Sequence, residues 1–212
     1  MSGLVVLEGR WENNRNISVK ALFDLLMEMQ FGNIHEYHFE NFATGESLRA
    51  IIRHICGPYT QKRYIYIGAH GQNHHIYGSV ESITRTHLNN TLRDYLGGQI
   101  RGIFFGSCLF CNENNISFFF EERHGVPNNV RWISGYGVSV DWMQSTALDI
   151  IFWQSLFRIK ENYPDENEAY IIESVCKYLN DTMRGLMREL QFQVFRRRPG
   201  NPHEPEALIN WD

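Results

Sequence analysis

Two short stretches of this 212-residue chain put reactive side chains directly after apolar runs. Residues 63–69 run into His70-Gly71, and residues 100–105 run into Gly106-Ser107-Cys108. A thiol with its ordinary pKa of about 8.5 is only a few per cent ionised at neutral pH. A neighbouring imidazole can take its proton or, as a cation, stabilise the thiolate. Neighbouring strands of a sheet lie about 4.8 Å apart, so a His and a Cys that end adjacent parallel strands are set close together. The small residues beside them suit the same chemistry. Gly71 and Gly106 let a substrate backbone approach closely, and the N–H groups of Gly71 and Cys108 are candidate donors to the oxyanion of a tetrahedral intermediate.

Other reactive groups point elsewhere. Cys108 and Cys111 form a C-x-x-C, the spacing of a thiol–disulfide pair, which makes a thiol oxidoreductase the rival chemistry. That motif ordinarily opens a helix near an N-terminal βαβ unit, whereas here it follows a late strand. His70, His74 and His75 have ligand chemistry but no acidic or Cys partner nearby in sequence, so no metal is expected. No other cofactor is called for. Cys56 and Cys176 fall on apolar helix faces and read as core. Arg196-Arg197-Arg198 reads as a solvated helix end, favoured by the C-terminal dipole.

The elements that must position these groups alternate between strand and helix. Residues 4–7 form an apolar run that stops at Glu8-Gly9. Ser18 caps a helix whose one face carries Val19, Leu22, Phe23, Leu26 and Met29. Residues 34–39 alternate as a second strand. Leu48, Ile51, Ile52 and Ile55 have helical spacing and stop at Gly57-Pro58. After the strand at 63–69 come a polar loop and a small hairpin. Thr86 is the expected cap of a helix through Leu88, Leu92 and Leu96, closed by Gly97-Gly98. A strand at 100–105, a helix at 116–120 and a strand at 130–136 follow. The helix after Asp141 shows Leu148, Ile151, Phe152, Leu156 and Ile159 on one face. Pro164-Asp165 opens a last helix, with Glu168 placed as in a capping box, and its stripe is Ile172, Val175, Leu179, Met183, Leu186 and Leu190. From Arg196 onward a tail with three prolines reads as extended. This alternation predicts an α/β fold, a mostly parallel central sheet with helices on both faces, as one domain over residues 1–212. In such sheets chemistry sits beyond the carboxyl ends of the strands, where His70 and Cys108 fall.

Composition narrows the class. Aromatic residues make up 14% of the chain, which favours a large buried core over disorder. Twenty basic against 24 acidic residues give a net charge of −4, a poor basis for binding nucleic acid or an anionic membrane. No apolar run reaches the roughly 18 residues of a membrane span, and the N-terminus lacks the basic region of a signal peptide. Four cysteines are too few for a disulfide scaffold, and a reducing, cytoplasmic setting is expected.

The order apolar strand, His-Gly, spacer, apolar strand, Gly-x-Cys resembles the caspase-like superfamily of cysteine peptidases over about residues 4–157. The resemblance implies a three-layer sandwich fold, His70 as general base and Cys108 as nucleophile. Caspases proper carry Gln-Ala-Cys-x-Gly, whereas this chain has Phe105-Gly106-Ser107-Cys108-Leu109-Phe110. It is more similar to the CHAT and separase-like members, whose next strand leads through an apolar-acidic stretch into a helix. Here that stretch is Gly135-Tyr136-Gly137-Val138-Ser139-Val140-Asp141-Trp142, with Ser145-Thr146-Ala147 after it. The resemblance implies a stand-alone cysteine endopeptidase acting on a protein partner, an effector of bacterial defence or cell death among the candidates. An inactive caspase-like binding module is the alternative within the same fold. Substrate selection falls on three charged residues. Asp141 matches an acidic residue that faces a P1 arginine in separase-like relatives. Arg15 lies in the loop where caspases bind P1 aspartate, and Glu12 in that loop favours a basic P1 instead. The balance is toward Arg or Lys at P1. Oligomeric state is not legible.

Overall fold

Residues 62–68 illustrate how the sheet forms. Tyr64, Ile65, Tyr66 and Ile67 are all buried, because the strand they make is covered on both faces. The computed structural model describes residues 3–12, 15, 17–31, 37–209 and 211. In chain order the elements are β1 (Gly3–Glu8), α1 (Lys20–Phe31), β2 (Tyr37–Asn41), α2 (Gly45–Ile55), β3 (Lys62–Gly68), β4 (Gly71–Gln72), β5 (His75–Tyr77) and β6 (Ser82–Thr84). They continue with α3 (Arg85–Tyr95), β7 (Gly102–Gly106), α4 (Glu113–Phe120), β8 (Trp132–Tyr136), α5 (Trp142–Asn162), α6 (Glu168–Glu189), β9 (Phe192–Arg198) and β10 (Asn201–Ile209).

Seven strands form the central sheet in the order β10-β9-β8-β7-β3-β1-β2. Strands β2, β1, β3, β7 and β8 are parallel, and β9 and β10 add an antiparallel hairpin beyond β8. Alternate residues of each strand feed different cores. Leu4, Val6, Tyr64, Tyr66, Phe104 and Trp132 pack with buried side chains of α1, α5 and α6. Val5, Leu7, Ile65, Ile67, Ile103 and Phe105 pack with those of α2, α3 and α4. The first core is aromatic: Phe104 stacks on Tyr66 at 5.4 Å and meets Phe152 edge-on at 5.0 Å. Strands β4, β5 and β6 make a separate small sheet beside the carboxyl end of β3, the hairpin anticipated after residue 69.

Several helix starts lie elsewhere than the sequence suggested. Helix α3 is capped by Thr84, not Thr86, because Thr84 ends β6, where it pairs with His75 of β5, and the strand delivers the chain to the helix there. Helix α6 begins at Glu168 behind Asn167, whose side chain accepts from the Tyr170 N–H at 3.1 Å. The Glu168 carboxylate makes no capping box with Asp165; it accepts from the Tyr64 hydroxyl and the Trp132 indole instead. The Arg196-Arg197-Arg198 run is no helix end. Helix α6 closes at Leu190, Gln191 takes a left-handed φ of 46°, and the chain reverses into β9. Arg197 is buried there, donating to the carbonyls of Val126, Pro127, Val130 and Pro202 and lying over the Phe120 ring. The tail is extended as anticipated, but as the outermost strand of the sheet, where Pro202 and Pro205 are tolerated. Ile34, the start of the second predicted strand, lies outside the described residues; β2 runs from Tyr37.

Candidate active site

The pairing of β3 with β7 sets Gly68 opposite Gly106. His70 and Cys108 each follow by two residues, so they leave the carboxyl edge of the sheet from adjacent strands at the same level. Both flanking glycines are forced by close approach. A Cβ on Gly71 would lie 2.3 Å from the Cys108 carbonyl oxygen and 3.1 Å from its amide nitrogen. A Cβ on Gly106 would lie 2.2 Å from the Tyr66 hydroxyl. The His70-Gly71 backbone therefore rests directly on the backbone of Cys108.

Cys108 is half-buried, and the main chain of Val140 holds its sulfur. The Val140 N–H donates to Sγ at 3.4 Å, and the Val140 carbonyl lies 3.7 Å from it. Leu109 then takes φ 60°, a left-handed conformation that a non-glycine residue rarely adopts, and its N–H donates to the Val138 carbonyl at 3.0 Å. This sharp turn presents the Cys108 side chain at the sheet edge. The Cys108 N–H makes no hydrogen bond with another described residue.

His70 is exposed, and its ring is fixed from the β1 side. Nε2 bonds to the main-chain carbonyl of Trp11, whose indole meets the imidazole edge-on at 5.6 Å. A carbonyl only accepts, so Nε2 carries the proton and Nδ1 is left as the basic nitrogen of the neutral ring. Trp11 is itself anchored. Its indole N–H donates to Glu8 at 2.6 Å, and the same carboxylate, 2% exposed at the end of β1, accepts from Ser18 Oγ at 2.5 Å and the Val19 N–H at 2.8 Å. His70 and Cys108 make no hydrogen bond with each other. A cleft of about 430 Å³ opens beside His70, lined by Arg10, Trp11, Tyr77, Gly78 and Ser79.

Beneath the site lies a buried carboxyl. Asp149 of α5 accepts from the Tyr66 hydroxyl at 2.8 Å and the Tyr136 hydroxyl at 2.5 Å. Burial pushes its pKa up from 3.8 to about 7, against the two tyrosine bonds, which pull it down. Tyr66 is the same side chain that excludes a Cβ at Gly106.

The three charged selectors separate. Asp141 follows Val140 and so reaches the edge where Cys108 sits; its carboxylate caps α5, accepting from the Gln144 N–H at 3.0 Å. Glu12 and Arg15 pair with each other at 3.5 Å, both exposed. Cys111, the other thiol of the C-x-x-C, is fully buried, burial drives its thiol pKa well up, and all four cysteines are free. Among the described residues no group of three or more His, Cys, Asp or Glu side chains is arranged to hold a metal. None of the described helices is long and apolar enough to cross a membrane.

Glu8, Trp11 and Asp149 were not singled out from sequence. Glu8 had a signal, a carboxylate ending an apolar strand, and Asp149 interrupts an apolar helix face. The role of Trp11 lies in its main-chain carbonyl, which no side-chain pattern reveals. No protein-family model and no curated protein matches this chain.

Proposed function

We propose that this protein is a caspase-like cysteine endopeptidase. The observation that carries the reading is the in-register departure of His70 and Cys108 from adjacent parallel strands, with Gly71 seated on the Cys108 backbone. The Cys108 thiol gives its proton to His70 Nδ1, and the thiolate attacks the scissile carbonyl. The N–H groups of Cys108 and Gly71 stabilise the oxyanion. The imidazolium, oriented through Nε2 by the Trp11 carbonyl, protonates the leaving amine. Water activated by the neutral imidazole then hydrolyses the thioester. For this the sulfur leaves the main chain of Val140 and meets the imidazole when substrate binds; such contacts commonly tighten only in the complex. Asp141 is the proposed selector of a basic P1 residue, one residue beyond the contact to Cys108. The substrate is a protein partner, an effector of bacterial defence or cell death in the reading that the resemblance supports, and the four free cysteines accord with a reducing, cytoplasmic setting.

One observation favours a second reading, an inactive binding module: thiol and imidazole are each held by a different main chain. A panel of fluorogenic peptides varied at P1 tests both. Cleavage lost in Cys108→Ala and His70→Ala supports the peptidase, and no cleavage of any peptide supports the binding module. Loss of Arg/Lys cleavage in Asp141→Ala, with Arg15→Ala unaffected, supports the basic P1. Cys111→Ser separates the thiol oxidoreductase, because a peptidase tolerates that change.

A further inference from the structure

Four arginines stand side by side at the edge of the sheet opposite to Cys108. The register pairs Tyr64 with Gly102 and Gly102 with Trp132, so the preceding residues Arg63, Arg101 and Arg131 are neighbours across β3, β7 and β8. Trp132 pairs with Arg196 in the antiparallel β9, which sets Arg197 opposite Arg131. Main-chain bonds lock the row: Arg101 N–H to the Arg63 carbonyl at 2.7 Å, Arg131 N–H to the Arg101 carbonyl at 2.7 Å, and Arg197 N–H to the Arg131 carbonyl at 3.0 Å. Like charges directly across from one another destabilise a sheet. Here three such pairs occur in succession, at a spacing of about 4.8 Å. A local rule broken this consistently marks a site kept for a reason other than stability.

The row is poorly neutralised. Glu168 is the carboxylate beside it, 3.6 Å from Arg63, with its other oxygen taken by Tyr64 and Trp132. Arg101 donates to the carbonyls of Gly98 and Ile100, and Arg197 to four carbonyls. Carbonyls satisfy donors without cancelling charge. The Arg131 side chain is exposed and forms no hydrogen bond or ion pair with a described residue. Burial holds Arg101 below its ordinary pKa, helped by Arg63 and Arg131; burial and then Arg131 push Arg197 down to about 10. A cavity of about 470 Å³ lies beside Arg131 and Arg197, lined also by Glu168, Arg196 and Arg198. Arg196 pairs with Glu173 and Glu206, and Arg198 with Glu204, so neither adds free positive charge there.

We propose that Arg131 and Arg101, in the field of Arg63 and the buried Arg197, bind an oligophosphate anion at the amino edge of the sheet. Guanidinium forks match phosphate oxygens in pairs, and a chain of phosphates meets successive forks where a single carboxylate meets one. The Glu168 carboxylate repels such a ligand from the α6 side and leaves the Arg101–Arg131 side open. The site shares no residue with the Cys108 edge, and it stands whether or not the chain is a peptidase.

Calorimetric titration of the full chain with sodium tripolyphosphate at low ionic strength tests this. Saturable 1:1 binding is expected, weakened at least tenfold in Arg131→Gln and unchanged in Arg184→Gln, an exposed arginine on α6. Arg131 is exposed, so its variant keeps the fold, and an unchanged thermal midpoint checks that. Adenosine triphosphate in place of tripolyphosphate shows the source: equal affinity assigns recognition to the phosphate chain, and tighter binding to a nucleotide carrying it. No saturable heat, or equal affinity in wild type and Arg131→Gln, overturns the proposal. So does equal weakening by Arg184→Gln, which would mean diffuse attraction.

Discussion

Gly71 is seated on the backbone of Cys108 so closely that a single added carbon would fall 2.3 Å from the Cys108 carbonyl oxygen. This contact couples the His70 strand end to the turn at Cys108, the proposed nucleophile. Gly71→Ala should therefore abolish peptide cleavage by pushing the two segments apart. Gly98→Ala, where an added carbon meets nothing within 4 Å, should leave activity and thermal midpoint unchanged. Near-normal turnover in Gly71→Ala would remove the contact from the mechanism.

Glu8 acts on His70 through Trp11. Replacing it with Gln sets an amide against the donors of Trp11, Ser18 and Val19, and frees the Trp11 carbonyl that orients the imidazole. Glu8→Gln should lower kcat by about tenfold to a hundredfold, the range for a misplaced catalytic group, with KM little changed. Trp11→Phe removes the other half of the same link, so the double variant should lose less than the two singles combined. Additive losses would show that Glu8 and Trp11 act separately.

Asp149 gives the stability a pH signature. Its folded pKa, near 7, lies above its ordinary 3.8, so the folded state holds the proton that the unfolded state releases. Its contribution to stability is then fully present below about pH 4 and is lost as pH rises toward 7, by at most about 4 kcal/mol. Asp149→Asn should flatten that part of the profile and be relatively more stable than wild type at pH 8 than at pH 5. Thermal midpoints of both proteins across pH 4–8 measure it; parallel curves would contradict the linkage.

Labelling separates the cysteines. Cys56, Cys111 and Cys176 are buried, and burial raises all three thiol pKa values, that of Cys56 to about 12. Cys108 alone is partly exposed. Brief iodoacetamide treatment of the native protein at neutral pH should modify Cys108 first, as read by peptide mass spectrometry. Equal modification of all four would mean that the core opens faster than the reagent acts.

The sheet was legible because its parallel strands are buried on both faces and read as continuous apolar runs. His70 and Cys108 were legible because each interrupts such a run where the strand ends. Helix starts were less so: Thr84 and Asn167 cap because strand pairing and tertiary contacts deliver the chain there, while Thr86 and Asp165 offered equally good local chemistry. Arg196-Arg197-Arg198 looked like a solvated charge run, yet a strand sends alternate residues to opposite faces, and Arg197 found four carbonyls inside. Glu12 and Arg15, read as rival selectors, face each other as an exposed ion pair. Nothing in their spacing distinguishes a pair from two separate sites.

The central claim is that Cys108 cuts peptide bonds with His70 as its base. Mass-spectrometric mapping of new termini in a denatured proteome tests it directly, with wild-type protein beside Cys108→Ala and His70→Ala. The account predicts new termini after Arg or Lys with wild type and none above background with either variant. The same termini from Cys108→Ala, or none from wild type, would contradict it.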